Sequence, residues 1–251
     1  MGSPLTEPGR EGRYVGSEIP HRVGLTRPYY LAINEVTQDE YQIVTGSSPS
    51  GHSPGGEKAD TVATLKTGRL PVEMVSWNDA QEFCKRLSAL PGEQQRSYRL
   101  PTEAEWEFAC RAGTVEATYV GNELTSDSGN FAGTVPYQSS TVGPFLKRPT
   151  TVGTYPPNPF GLYDMIGNVA EWCEDTYDYG VNYYADSPRN DPLNTVGVKR
   201  VRRGGGFDAA GQYQRSATRY NEAPTFRDYR LGFPSVYKTC ENPKTLPRKR
   251  R

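Results

Sequence analysis

Apolar residues recur at helical spacing in only three stretches of this chain, and the same polar device announces each of them. A hydroxyl residue is followed three positions later by an acid, the pair that satisfies two otherwise orphaned N–H groups where a helix begins. Thr37 with Glu40 predicts a first helix, carrying Tyr41 and Val44 inward and ending near Gly46. Ser76 with Asp79 predicts a second, on which Ala80, Phe83, Cys84 and Leu87 fall on one stripe at i, i+3, i+4 and i+7. Thr102 with Glu105 predicts a third, with Trp106 and Ala109 or Cys110 inward and Gly113 as the stop.

Elsewhere the pattern is that of short strands and long loops. Residues 23 to 35 alternate enough for two short strands around Pro28. Ser47 to Gly68 is polar, Gly-rich and without periodicity, which predicts a surface loop, and Leu70 to Val75 returns to the core. Lys199 to Phe207 predicts a strand closing on a glycine bend, with further strands over Gln214 to Tyr220 and Tyr229 to Val236. This arrangement is α+β, loop-rich, with short antiparallel strands and about three helices. One domain over 1–237 accounts for the unbroken succession, and 238–251, ending Arg248-Lys-Arg-Arg251, is a basic tail.

Composition sharpens this outline. Of 251 residues, 26 are Gly and 21 Pro, while hydrophobic residues make up only 35%, a balance that disfavours a helical bundle. The 17 Tyr supply core area that aliphatic residues do not. Basic and acidic residues are 29 each, so no global field draws the chain to nucleic acid or an anionic membrane. No stretch approaches the ~20 apolar residues of a membrane span, and no charged-then-apolar leader is present. Cys84, Cys110, Cys173 and Cys240 show no Cys-x-x-Cys spacing, which argues against zinc.

The stretch around which the chain is organised runs from Phe160 to Trp172. It sets two carboxylates, Asp164 and Glu171, on either side of Gly167 and Asn168, with Leu162, Met165, Ile166, Val169 and Trp172 as apolar anchors. Hard oxygen donors flanking a turn suit Ca²⁺. Two solvated acids beside a tight turn fit the same spacing.

This stretch, together with Asn34-Glu-Val-Thr37, Pro71 to Trp77, Tyr98 to Gly113, Arg200-Val-Arg-Arg-Gly-Gly205 and Leu231-Gly-Phe233, resembles the formylglycine-generating enzyme or sulfatase-modifying factor family. The resemblance implies an elaborated C-type-lectin-like fold. It also implies one structural calcium, held by the side chains of Asp164 and Glu171 and the carbonyls of Gly167 and Val169. A second family calcium would use Asn130 and Phe131, but its later position falls near Pro144, without a carboxylate, so one ion is expected. Cysteines matching Cys84 and Cys110 form disulfides in secreted relatives. The partner positions here are Ser235 and Ser216, so both are read as buried free thiols, which favours a reducing, cytoplasmic location.

The oxidases of this family place a Ser after the paired glycines and two cysteines beyond it, which bind Cu(I). In this chain the Ser position is Gly206, the second cysteine position is Gln214, and the first lies near Ala209 or Ala210; no residue from 204 to 239 is cysteine. Amide oxygen is too hard a donor to replace thiolate at Cu(I), so copper is not expected. With only His21 and His52, a three-His iron site is excluded as well, and neither lies in a recognised catalytic context. Glu103 and Glu105 are read as helix N-terminal charge.

What stands in this region has the composition of a recognition surface. Phe207, Asp208, Tyr213, Gln214, Tyr220, Asn221, Phe226, Asp228 and Tyr229 form a Tyr-rich polar blend, with Arg215, Arg219, Arg227 and Arg230 among them. The residues therefore point to a catalytically degenerate domain that binds a protein or small-molecule ligand at a C-terminal cleft. The alternatives are an active copper oxidase and a retroelement-diversified variable protein, which resembles the same fold.

Overall fold

Three capping boxes start three helices in the computed structural model, which describes residues 1–10, 18–177, 187–234 and 236–239. Helix α1 spans Gln38–Thr45, α2 Trp77–Ala89 and α3 Glu103–Arg111, each with the reciprocal bonds between the hydroxyl N-cap and the acid at the third helical position. Each cap is worth about 1 kcal/mol. Helix α1 ends at Gly46 in the left-handed conformation. The stop of α3 begins one residue earlier than the sequence predicts, because Ala112 already adopts φ 48° before Gly113 at φ 92°.

The strands are β1 (Tyr30–Leu31), β2 (Arg96–Arg99), β3 (Ala170–Tyr177), β4 (Lys199–Arg203), β5 (Tyr220–Glu222), β6 (Leu231–Gly232) and β7 (Val236–Thr239). One sheet has the order β5-β4-β3-β6, antiparallel except for the parallel pair β3–β6. The other, β1-β7-β2, is antiparallel and ties early chain segments to the late strand β7.

Strand β3 is the hub. Ala170 and Trp172 face a core built with Val36, Tyr41, Val75, Phe83, Leu100 and Phe233 from the α1–α2 side. Cys173 and Tyr177 face the other core, with Trp106, Cys110, Phe131, Ile166 and Val201. A strand walled on both faces loses its outward polar positions, which is why β3 is buried at seven of its eight residues. Trp172 Nε1 donates to the Val75 carbonyl at 3.0 Å, and Trp77 Nε1 donates to that of Cys173 at 2.8 Å.

Three expectations are corrected. Residues 23 to 35 yield one short strand, β1, and an isolated bridge from Gly24 to Asn190 in place of a first strand. Gln214 to Arg219 is not strand: a 3-10 turn covers Gly211–Gln214, and Arg215 and Arg219 turn inward to bury their guanidinium groups against acids. The Ser47 to Gly68 segment is only partly a surface loop. The Glu73 carboxylate pins its middle from beneath, leaving Ser50 and His52 buried.

Cys84, Cys110 and Cys173 are buried free thiols, and burial pushes the thiols of Cys84 and Cys110 up to about 12. Cys110 Sγ stands 3.6 Å from Ser216 Oγ. The expected tail over 238–251 starts later than its boundary, since β7 runs to Thr239; Ser235 and residues 240–251 lie outside the described residues. Among the described residues, no helix is long and apolar enough to cross a membrane.

Candidate functional site

The turn between Asp164 and Glu171 is built by three left-handed residues, Asp164 (φ 55°), Gly167 (φ 77°) and Asn168 (φ 59°). Gly167 is obligatory there, since a Cβ would lie 2.1 Å from the Asn130 carbonyl oxygen. Asn168 then locks the turn: its Nδ2 donates to Glu35 Oε2 at 2.8 Å, and its Oδ1 accepts from the Thr150 N–H at 2.9 Å. The result is a rigid carbonyl-bearing loop that opens directly into β3.

The acids on this loop are not solvated. Asp164 is 3% and Glu171 2% exposed, and a third carboxylate, Glu35 at 2%, joins them from the segment before α1. Asp164 Oδ2 accepts from the Gly153 N–H at 2.7 Å, but its Oδ1 is buried without a partner. Glu171 accepts from Trp106 Nε1, and Glu35 Oε1 accepts from the Val169 N–H at 3.1 Å.

Burial pushes Asp164 up to about 6 and Glu171 up to about 8, the nearby Asp164 charge adding to the latter. Burial, followed by repulsion from Asp164 and Glu171, holds Glu35 well above the usual carboxylate range. Three acids raised chiefly by burial, one of them with an orphaned oxygen, form a pocket short of positive charge. The donor set is all oxygen, which fits a hard divalent cation such as Ca²⁺. Among the described residues no three His, Cys, Asp or Glu side chains gather tightly enough to hold a metal alone. An ion here would depend on main-chain carbonyls as well, those of Gly167 and Val169 being the ones the resemblance implies. Sequence reasoning missed Glu35, although the Asn34 to Thr37 motif was the signal that could have found it.

The nine residues of the C-terminal blend separate into distinct places. Asp208, Tyr213 and Tyr220 line one cleft of about 340 Å³ with Arg202, Gly205, Gly206 and Arg230. Phe207 and Gln214 are core residues, at 5% and 1% exposure. Phe226 packs against the Tyr41–Phe83–Phe233 cluster, and Asn221 sits on β5 opposite Val201. Asp228 grips Arg230 through both carboxylate oxygens, at 2.5 and 2.7 Å, and lies outside the cleft wall.

Tyr229 faces a second cavity, of about 460 Å³, formed by Ser48 to Glu57 and α1. Its hydroxyl donates to Glu57, and its ring meets that of His52 edge-on at 5.9 Å. His52 itself lies edge-on to Phe207 at 5.5 Å, and Glu73 Oε1 stands 3.2 Å from its Nδ1. Sequence reasoning saw no context for this histidine because Glu73 lies 21 residues away.

Gln214 occupies the place where the resemblance set a copper-binding cysteine. Its Nε2 donates to the carbonyls of Gly206 at 3.3 Å and Ala209 at 3.4 Å. A Cβ on Gly205 would lie 2.2 Å from Gln214 Oε1, so the amide packs flat against the glycine bend.

The helices, the two sheets and the loop-held β3 define an elaborated C-type-lectin-like fold. The chain belongs to the family described as the sulfatase-modifying factor enzyme 1-like domain, which it matches over residues 4–238. It is 36% identical over 191 residues to a formylglycine-generating enzyme of Streptomyces coelicolor, covering 72% of this chain and 55% of that one. It is 30% identical over 233 residues to the serine/threonine-protein kinase pkn1 of Chlamydia pneumoniae, covering 86% of this chain and 34% of that protein. This chain thus spans about a third to just over half the length of these relatives. Among solved structures it is similar to Treponema denticola variable protein 1, at 29% identity and a TM-score of 0.69, with 88% of each chain covered.

Proposed function

We propose that this domain is a binding module that keeps the family's scaffold without its oxidase chemistry, and that a structural calcium stiffens the loop leading into β3. The observation that carries the first part is the amide of Gln214 packed on Gly205 and Gly206, in a region from 204 to 239 that contains no cysteine. Cu(I) is soft and takes thiolates, whereas carboxamide oxygen is a poor substitute. The three described cysteines are buried elsewhere, two with thiols that stay protonated up to about 12.

The calcium reading rests on the orphaned Asp164 Oδ1 and on the elevation of Glu35, Asp164 and Glu171. Asp164 and Glu171 would hold the ion with the carbonyls of Gly167 and Val169, and Glu35 would neutralise it from behind Asn168. The ion's role is charge balance, with no part in turnover.

What the module binds is a protein or small molecule at the cleft lined by Asp208, Tyr213 and Tyr220. The similarity to a third of a protein named as a kinase supports a use of this scaffold apart from sulfatase maturation. Likeness to a protein titled a variable protein favours a second reading, in which residues 204–233 are diversified. A near-copy of that segment beside a reverse transcriptase gene would establish it. The main reading is tested by incubating the purified protein with Cu(I) and a Cys-x-Pro-x-Arg peptide under air: no aldehyde is expected, and aldehyde formation would overturn it.

A further inference from the structure

Strand β4 carries two adjacent arginines whose side chains take opposite faces and meet opposite fates. Arg203 is fully buried among acids. Arg202 pairs in register with Tyr220 on β5, and its guanidinium lies over that ring at 4.8 Å, on the wall of the 340 Å³ cleft. Its side chain is 25% exposed, yet among the described residues it donates no hydrogen bond, and its Nε is buried without a partner. The nearest carboxylate, Glu222, stands 3.7 Å away, beyond hydrogen-bonding distance. A buried N–H with no acceptor is costly, and nearly all such groups in folded proteins find partners. Burial accordingly pulls the Arg202 guanidinium below its usual range.

We propose that this cleft binds the carboxylate of a ligand through Arg202. The inference rests on reading the region as a recognition cleft and supplies the chemical class that it recognises. A planar carboxylate matches the guanidinium fork through two parallel bonds. The other arginine of the wall, Arg230, is already hydrogen-bonded to Asp228 and, at 3.2 Å, to Asp208, which leaves Arg202, held by the looser 3.7 Å ion pair with Glu222, as the cation a ligand engages. With Asp208 and Glu222 close by, a monoanion fits better than a doubly charged phosphate. Tyr213 and Tyr220, edge to face at 6.1 Å, offer apolar area to the ligand's hydrocarbon part.

The test is a titration of the ¹⁵N-labelled protein with benzoate, benzamide and inorganic phosphate, read at the Arg202 Nε–H resonance. Benzoate is expected to shift that resonance saturably, and benzamide to leave it in place. Arg202→Lys, which keeps the charge but loses the fork and is followed at the backbone amide of Tyr220 on the paired strand, should weaken benzoate by roughly tenfold. Glu222→Gln, which removes the competing charge, should tighten it about threefold. No benzoate response at Arg202, an equal response to benzamide, a response to phosphate alone, or a Glu222→Gln protein that binds no tighter would each overturn the proposal. The aldehyde assay is independent: a positive result there defeats the non-catalytic reading, whereas a silent Arg202 with no aldehyde defeats only the carboxylate.

Discussion

Two sets of buried charges meet at Trp106, and they differ in one respect. On one side, Glu103 and Glu107 from α3 engage Arg203 and Arg219: Arg219 reaches both oxygens of Glu103 at 2.5 and 2.6 Å, and Arg203 pairs with Glu107 and donates to the Thr218 carbonyl at 2.5 Å. On the other side, Glu171 accepts the Trp106 N–H, with Asp164 and Glu35 beyond it and, among the described residues, no cationic side chain as their partner. Burial pushes Glu107 up, but Arg203 and Arg111 outweigh it and hold that carboxyl below its ordinary range. The same burial sends Glu171 up to about 8. Burial is shared and the outcomes are opposite because Glu107 has Arg203 and Arg111 beside it, whereas among the described residues Glu171 has no arginine or lysine partner.

The comparison is broken most forcefully at Arg203. Arg203→Met should cost about 3–5 kcal/mol by leaving Glu103 and Glu107 short of a partner, and chemical denaturation should show that loss undiminished by added calcium. Restoration of stability by calcium would contradict the separation of the two regions.

Next in size is the seam. At calcium about a hundredfold above its dissociation constant, the wild type should gain about 2.7 kcal/mol, lost on adding EDTA, while Asp164→Ala should melt identically with and without chelator. A wild-type melting curve indifferent to EDTA counts against the ion.

A third test joins α3 to the segment after the 3-10 turn. Ser216→Cys should form a disulfide with Cys110, whose Sγ already stands 3.6 Å from the Ser216 oxygen, and should add roughly 2 kcal/mol under oxidising conditions. Free-thiol titration and non-reducing mass spectrometry of the variant would check it.

The smallest effect, taken per pH unit, is a slope at Asp175, which accepts the Glu103 N–H at 2.7 Å and the Asn194 N–H at 3.0 Å. Burial, then the Glu103 charge, pushes it up to about 7. Its folded value is raised, so between about pH 4 and 7 the unfolded chain binds fewer protons than the folded one. Stability should therefore fall as pH rises through that window, by at most about 1.4 kcal/mol per unit. Wild type minus Asp175→Asn, measured by denaturation at several pH values, isolates the slope; a flat difference would refute the assignment.

Much of the frame was legible because its signals are local. The three capping boxes, the stripe of Ala80, Phe83 and Cys84, and the glycine bend after β4 each depend on residues within a few positions of one another. The misjudged parts depend on distant partners. Glu103 was read as helix N-terminal charge, yet it pairs with Arg219, 116 residues away. Gln214 to Arg219 alternates like a strand but turns inward because Glu18 and Glu103 capture its arginines. Phe207 and Gln214 have the composition of a recognition loop and lie in the core, since composition does not report direction.

By itself, the order of residues determined where the helices start, that the loop from Asp164 to Glu171 is a turn pinned to a core, and that thiolate is missing from 204 to 239. These are matters of spacing and residue type. Only the tertiary structure decided that Glu35 joins Asp164 and Glu171, that Arg203 is neutralised while Arg202 is left with open donors, and that Tyr229 and Tyr220 serve different cavities. Those outcomes depend on which face of a strand meets which neighbour, and desolvation gives them weight only after the chain has closed around them.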